Sequence, residues 1–388
     1  MLGWALVADT IPLYPLYALL FADTGLSDPE ISVLFAIWSA VGVLIEVPTG
    51  ALADRFSRRG CLVVAGLVQA CGFAIWLVFP GFVGFAVGFV LWGIGGSLVS
   101  GSQEALLYDG LRAAGAEDEY AKINGRVTAV ELVAQFPAAP AATVLFAAGG
   151  YALAGWVSVG VCVLAAVLAA RIPEPPRVAD VDEDGDDDEL GYLATLRAGL
   201  AEAAAGPGVL GVLVAAMVLG AFDTVEEYFP LMVAGWGVPV GWVPLADLPI
   251  VLAGVAGAAL AGRAARLPTP LLAGLLAVAM VLLGAAGLVE QPVGIAAVAL
   301  CYGVYRSALV VVDARLQDRI ESRSRATVTS VAGLGTDVLS FAVYAAWALG
   351  EVPGVAGYGL VAALTLLFLG TAARRRPSPV AELGPIVD

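Results

Sequence analysis

Several long apolar blocks of this sequence are interrupted by ionisable side chains, and these are the residues best suited to chemistry. A charged group at the centre of a bilayer costs about 2.5–3.5 kcal/mol on insertion scales, so each one is a candidate for binding a solute or a proton. Burial favours the neutral form of a carboxyl group, which lets it load and release a proton. The candidates are Asp9, Glu104, Glu131, Asp223, Glu226 and Arg306.

These candidates differ in how well they suit proton or substrate binding. Asp9 in the first apolar block and the carboxylates of the seventh block are the best placed. Glu227, near the outer end of that seventh block, is expected to face water. Arg306 in the tenth block needs a partner, and the sequence leaves open whether it is Glu104 or Glu131.

Residue sets typical of enzymes, ATP-driven pumps and metal sites are missing from the sequence. There is no histidine, no G-x-S-x-G and no H-E-x-x-H. Lys122, the only lysine, does not lie in a G-x-x-x-x-G-K-[ST] loop. The acidic run 180–189 begins like a calcium loop, but Gly191 stands where a bidentate Glu is needed, so an acidic linker is expected. We expect no metal, no cofactor, no catalytic residue and no nucleic-acid partner.

The elements that must position the candidates are long apolar helices. Of 388 residues, 60% are hydrophobic and 14% charged, against roughly 25% charged in a soluble domain. The apolar blocks are about 18–24 residues long, and because lipid offers no hydrogen-bond partners, such blocks cross a bilayer as helices. The predicted spans are 3–21, 31–50, 61–80, 84–107, 125–147, 151–170, 208–231, 240–261, 269–288, 292–312, 327–348 and 354–372.

The basic residues provide an independent test of this span count. Apart from Arg306, every Lys and Arg follows an even-numbered span, and the loops after odd-numbered spans have none. Cytoplasmic loops carry the excess of basic residues, so we expect a multi-pass protein of the cell membrane with both termini in the cytoplasm. One miscounted helix would scatter the arginines over both faces.

The segment after the second span carries a motif. Residues 46–59 read EVPTGALADRFSRR, in which Gly50, Asp54, Arg55 and Arg58 match a G-x-L-a-D-R-x-x-R pattern. At this position the pattern resembles that of the major facilitator superfamily. The resemblance implies an all-α membrane protein of twelve transmembrane helices in two pseudo-symmetric six-helix bundles. The expected domains are 1–170, a cytoplasmic acidic linker 171–207, a second bundle 208–372 and a cytoplasmic tail 373–388.

In this family the motif latches the cytoplasmic side in the outward-open state, a role that the resemblance gives to Asp54, Arg58 and Asp109. Arg58 can form a two-pronged bond to a carboxylate near the end of the fourth span, where Asp109 is the nearest candidate and Glu104 the second. The motif residues could instead serve only to set topology. Residues 258–266 repeat the motif at a fixed offset, with Gly262 in place of the aspartate, which is typical of transporters with repeated halves.

The expected function is secondary active transport by alternating access, with a small-molecule solute, protons as coupling ion and the lipid bilayer as partners. Proton-coupled export of a drug-like solute, by a monomer, is the first hypothesis. Facilitated or proton-coupled uptake of a nutrient, or a non-transporting sensor or scaffold of the same fold, stays open. The fourth span lacks the arginine that proton-coupled members often carry, and the fifth has alanines where drug antiporters have glycines.

Overall fold

The computed structural model describes residues 1–55, 57–174, 209–320 and 325–374, and these form helices and connecting turns. The acidic run, most of the predicted linker and the end of the tail lie outside these residues. Short 3₁₀ segments cover Glu117–Glu119, Phe222–Tyr228 and Val240–Trp242. The α-helices are α1 (Leu2–Asp9), α2 (Tyr17–Asp23), α3 (Asp28–Arg55), α4 (Arg58–Val78), α5 (Phe82–Ala113), α6 (Tyr120–Ala170), α7 (Val209–Ala221), α8 (Phe229–Gly235), α9 (Val243–Ala264), α10 (Thr269–Val289), α11 (Gly294–Gln317) and α12 (Arg325–Arg374).

Within the described ranges, nine helical stretches are long and apolar enough to cross a membrane. Two of them are too long for one crossing: α6 has 51 residues, or about 77 Å at 1.5 Å per residue, against a hydrocarbon core of about 30 Å. The backbone of α6 leaves helical geometry at Gly149 and Gly150, and that of α12 does so at Gly350 and Glu351. Each therefore comprises two crossings, as the predicted spans require.

The first predicted span, 3–21, is broken into α1 and α2. Pro12 and Pro15 lie in the break, where the missing proline N–H groups and the bulk of their rings prevent a continuous helix. The buried hydroxyl of Ser158 on α6 accepts a hydrogen bond from the backbone N–H of Leu13 at 3.0 Å. Backbone groups freed by the break are thus satisfied by a neighbouring helix, as a break at membrane depth demands.

The seventh predicted span, 208–231, is also interrupted. Its helix α7 ends at Ala221, and the 3₁₀ segment Phe222–Tyr228 separates it from α8. Asp223, Glu226 and Glu227 all lie in that segment. Interrupted helices form the binding sites of many transporter folds, so the sequence places its charges where the backbone is least regular.

The chain divides into two compact units that are not continuous in sequence. Unit 1 comprises Met1–Glu183, Glu226–Leu248 and Trp347–Leu349. Unit 2 comprises Asp184–Val225, Pro249–Ala346 and Gly350–Asp388. The 3₁₀ segment of the seventh span is thereby shared, with Asp223 in unit 2 and Glu227 in unit 1. The division into bundles 1–170 and 208–372 stays a prediction.

Each unit is held together by large side chains and by very close helix contacts. In unit 1, Trp76 is fully buried and donates its indole N–H to the carbonyl of Phe85 at 3.0 Å, across the bare backbone of Gly88. In unit 2, Gly257 of α9 faces Gly303 of α11 so closely that a Cβ atom would lie 2.0 Å from the Gly303 carbonyl oxygen. Small residues at such crossings let membrane helices approach, which fixes the positions of the side chains beside them.

Candidate functional site

An ion pair between the 3₁₀ segment that follows α7 and the helix α11 is the main charged feature of unit 2. Arg306 Nη1 donates to Asp223 Oδ1 at 2.9 Å and to Oδ2 at 2.8 Å. The hydroxyl of Tyr302 donates to Asp223 Oδ1 at 3.2 Å, and the Arg306 guanidinium lies 5.9 Å from the centre of the Tyr302 ring. The two charged side chains are 32% and 36% exposed, so the pair is held by the protein and still accessible.

The surrounding backbone explains this geometry. Tyr302 and Arg306 are four residues apart on α11 and so project from one face of it. Opposite them, α9 carries Gly254, where a Cβ atom would lie 2.5 Å from the Tyr302 ring and 3.4 Å from Arg306 Cγ. The glycine therefore provides the space that the pair occupies. Asp313, farther along α11, also acts electrostatically on Arg306.

The partner of Arg306 differs from the two that the sequence offered. Glu131 accepts a hydrogen bond from the amide of Gln103 at 2.6 Å, and Glu104 is exposed and lies within electrostatic range of Tyr120. Asp223 takes the arginine instead because the break after α7 brings its carboxylate beside α11. Sequence spacing alone does not predict which helices are neighbours.

Asp9 lies at the C-terminal end of α1, half-buried and within electrostatic range of Glu131. Thr10 donates its hydroxyl to the carbonyl of Leu6 at 2.7 Å and lies 3.5 Å from that of Ala134, which places the end of α1 against α6. The structure therefore brings two of the sequence-predicted carboxylates together in unit 1.

The carboxylates of the seventh predicted span lie in different environments. Glu226 is exposed, whereas Glu227, which we expected to face water, is half-buried and accepts a hydrogen bond from the hydroxyl of Tyr17. Next to it, Tyr228 is fully buried and donates to the Ser32 hydroxyl at 2.9 Å. Within unit 1 the 3₁₀ segment therefore contacts α2 and α3, a contact that no sequence pattern indicated.

At the start of α4, the motif arginine Arg58 is paired. Its Nη1 donates to the carboxylate of Asp109 and, at 3.2 Å, to the carbonyl of Ala105, both on α5. Gly50, Asp54 and Arg55 belong to the last turns of α3, but their side chains lie outside the described residues. The described half of the motif thus ties the third predicted span to the end of the fourth.

Glu174, which sequence reasoning missed, joins the same region. Its carboxylate accepts from the Ser57 hydroxyl at 2.5 Å and from the Arg59 backbone N–H at 3.4 Å, and Ser57 itself caps α4 by accepting from the Gly60 N–H. Burial alone would raise the pKa of Glu174, but these hydrogen bonds and the Arg59 charge outweigh it and lower the pKa. A Ser followed by helix-forming residues was the available signal for an N-cap.

The repeated motif in unit 2 is built differently. Arg263 and Arg266 are exposed. Arg315, at the end of α11, donates to the Thr269 hydroxyl at 3.0 Å and lies 3.4 Å from the Leu267 carbonyl. In this unit, an arginine just after the tenth predicted span therefore contacts uncharged groups at the start of the ninth.

Taken together, the described residues form long hydrophobic helices, with breaks beside Asp9 and at Asp223, and the family comparison agrees with this fold. A model of the Major Facilitator Superfamily matches residues 1–345. The chain belongs to the major facilitator superfamily. This confirms the family and fold class predicted from the motif and places the chain among multi-pass membrane transporters rather than enzymes.

Solved structures with the same fold come from several transporters of this superfamily. A bacterial homologue of the human lysosomal transporter Spinster, inward-facing and unoccupied, is 16% identical over 97% of both chains, with a TM-score of 0.71. The nucleoside transporter NupG is 13% identical over 97% of this chain and 98% of that one, with a TM-score of 0.70. A D-xylose–proton symporter is 17% identical over 94% and 95%, with a TM-score of 0.64.

At these identities the likeness to other members of the major facilitator superfamily concerns the fold. Comparison with curated protein sequences gives no significant match. The substrate, the coupling ion and the direction of transport must therefore be argued from the side chains of this chain.

Proposed function

We propose that this member of the major facilitator superfamily is a secondary active transporter that exports a small organic solute in exchange for protons. It works by alternating access, as a monomer in the cell membrane with both termini in the cytoplasm. The observation that carries the proposal is the Asp223–Arg306 pair, a half-exposed ion pair at a helix break inside a predicted span. Charges at such a depth are costly and mark ion or substrate pathways.

The pair supplies a simple coupling step. A solute or ion that competes for Asp223 releases the guanidinium of Arg306, and a freed Arg306 changes the electrostatics of the helix break. Asp9, half-buried and within electrostatic range of Glu131, is the second candidate for binding a proton or a cation. One charge moving down 100 mV yields about 2.3 kcal/mol, enough for roughly a fifty-fold gradient of a neutral solute.

The latch supports alternating access. The bond from Arg58 to Asp109 joins α4 to α5 at the end that we assign to the cytoplasm. We propose that Gly50, Asp54 and Arg55 complete this gate and that it locks the outward-open state. Asp54→Asn is then expected to slow turnover without abolishing substrate binding, and an unchanged rate in vesicles would exclude the latch role.

Proton-coupled uptake is the second candidate. Two structures of the same fold are named as a nucleoside transporter and a D-xylose–proton symporter. An import role needs the same proton-binding carboxylates, so the direction of flux separates the two proposals. A scaffold would instead bind no solute and show no flux.

The test begins with a thermal-shift screen for stabilising solutes, followed by flux into proteoliposomes at varied pH. A hit should accumulate only when a pH gradient is imposed. Asp9→Asn should abolish this uphill transport with membrane insertion intact, while Asp118→Asn, at an exposed loop position, should leave it unchanged. Normal uphill transport by Asp9→Asn would remove Asp9 from the mechanism, and no gradient-driven flux of any hit would exclude the proposed function.

A further inference from the structure

We propose that unit 1 contains a binding site for a monovalent organic cation. The site is formed by the half-buried rings of Tyr14, Tyr17, Trp38 and Trp92 together with the carboxylates of Asp9 and Glu227. This inference rests on the proposed function, because it names the class of the transported solute.

The aromatic part of the site is a connected set of rings, in which Phe89 links Tyr17 to the other three. Trp92 lies 5.4 Å from Tyr14 and 6.4 Å from Trp38, centre to centre. Trp38 stacks at 6.1 Å on the buried ring of Phe89, and Tyr17 lies 6.0 Å from the same ring. The four rings of the site are each only partly buried, whereas Phe89 behind them is 3% exposed. Trp38 and Tyr17 therefore pack on a buried ring, and each of the four rings keeps some surface available to a ligand.

The carboxylates lie beside this surface. Tyr17 donates its hydroxyl to Glu227. Tyr14 lies within electrostatic range of both Asp9 and Glu227. Negative charge thus acts on the aromatic surface from two different elements, the end of α1 and the 3₁₀ segment before α8.

The charge balance of unit 1 points to a ligand cation. Its predicted spans and the segment 226–248 contain a single basic residue, Arg126, at the start of the fifth span. Unit 2, by contrast, supplies Arg306 to its own carboxylate at Asp223. A carboxylate at membrane depth without a protein cation must be neutralised by a proton or by a bound cation.

The rings decide which kind of ligand fits. A cation over Trp or Tyr faces is attracted by the ring quadrupole, most strongly when it is desolvated, and organic cations add apolar contact with the rings. An anion would be repelled by Asp9 and Glu227. One-for-one exchange of such a cation for a proton uses the same carboxylates alternately and moves no net charge, so the pH gradient rather than the membrane potential drives this export.

The experiment compares two ions of the same shape and opposite charge, tetraphenylphosphonium and tetraphenylborate. Binding to the full chain in lipid nanodiscs is measured by equilibrium dialysis, with empty nanodiscs subtracted. We expect saturable binding of the cation and at least about tenfold weaker binding of the anion. Equal binding of both ions, or no saturable binding of the cation, would overturn the proposal whatever the variants do.

Variants locate the site. Trp38→Leu, which removes the ring, and Asp9→Asn, which removes the charge, are each expected to weaken cation binding about tenfold. Trp38→Phe keeps a ring and should stay within about threefold of the parent. Trp156→Leu, at a 51% exposed position of α6, is the matched control and should have no effect. Unchanged binding by a folded Trp38→Leu would contradict the assignment.

Flux measurements separate this proposal from the one on which it rests. If the cation binds but no solute is moved by a pH gradient, the site stands and transport fails. If another class of solute is driven by the gradient while the cation does not bind, transport stands and the cation site is excluded.

Discussion

The two units of this chain treat charge within the membrane in opposite ways. Unit 2 contains a carboxylate and a guanidinium in a bidentate contact, so its charge is balanced internally. Unit 1 brings Asp9 close to Glu131 and binds Glu227 to a tyrosine hydroxyl, with aromatic rings nearby. A balanced pair changes state only when something breaks it, whereas an unbalanced site favours any cation that can enter. On the function proposed above, unit 2 is expected to act as the switch and unit 1 to bind the solute.

The helix ends that carry the arginines of the motif and of its repeat differ in the same sense. Arg58 in unit 1 is held by the carboxylate of Asp109, while Arg315 in unit 2 is held by a hydroxyl and a carbonyl. An ion pair responds to salt and to charge-changing substitutions far more than a contact with neutral groups does. Four predictions test these contrasts.

The largest effect is expected at the balanced pair of unit 2. Asp223→Asn leaves Arg306 inside a span without its counterion, which is expected to cost about 2–3 kcal/mol of stability because the pair is partly solvated. The same energy lost from the transport step corresponds to a drop in exchange flux of roughly thirty- to 160-fold. The double variant Asp223→Asn/Arg306→Gln removes both charges and should recover part of the stability. Wild-type flux in the Arg306→Gln single variant would show that the pair is not a switch.

A steric substitution tests the same pair without changing charge. Gly254→Ala places a Cβ atom 2.5 Å from the Tyr302 ring, so the ring must move and carry Arg306 with it. We expect a cost of about 1–3 kcal/mol, measured as a lower unfolding temperature, together with reduced flux. Gly262→Ala on the same helix has open space and should be neutral or slightly stabilising. Equal behaviour of the two alanines would mean that α9 does not shape the site.

The contacts of Arg58 and Arg315 are expected to differ by a smaller amount. A double-mutant cycle of Arg58→Gln and Asp109→Asn should give a coupling energy of about 1 kcal/mol that falls in high salt, because the pair is partly exposed. Arg315→Gln should cost a similar amount with little dependence on salt. Chemical unfolding in detergent at two ionic strengths measures both, and equal salt dependence would remove the contrast.

The smallest effect is expected at Glu174. Glu174→Gln weakens a cap at the start of α4, with a loss of about 0.5–1 kcal/mol near neutral pH. The folded-state pKa is lowered, so the stabilisation is fully present above the ordinary value of 4.5 and is lost as the pH falls below it. Parent and variant should therefore converge in unfolding free energy on acidification, while Asp118→Asn should show no such convergence. A gap that persists at low pH would mean that Glu174 acts through packing.

Much of the fold follows from local sequence. Apolar blocks of bilayer length must be helices, and even the turn within α6 at Gly149–Gly150 was evident from the paired glycines. The breaks at Pro12 and before α8 were harder to predict, because hydropathy averages over a window and does not register a few irregular residues. These breaks matter for function because candidate residues lie in them or at their edges.

The candidate residues could be recognised from the sequence because a charged side chain within an apolar span has a high insertion free energy wherever it packs. The motif and the family followed from residues 46–59 in the same way, since a short spacing pattern is a property of the chain. Which groups meet was decided by the tertiary structure: Arg306 with Asp223, and Tyr17 with Glu227. Those contacts join residues far apart in sequence, and they depend on close helix crossings at glycines such as Gly254 and Gly257, whose geometry no local pattern encodes.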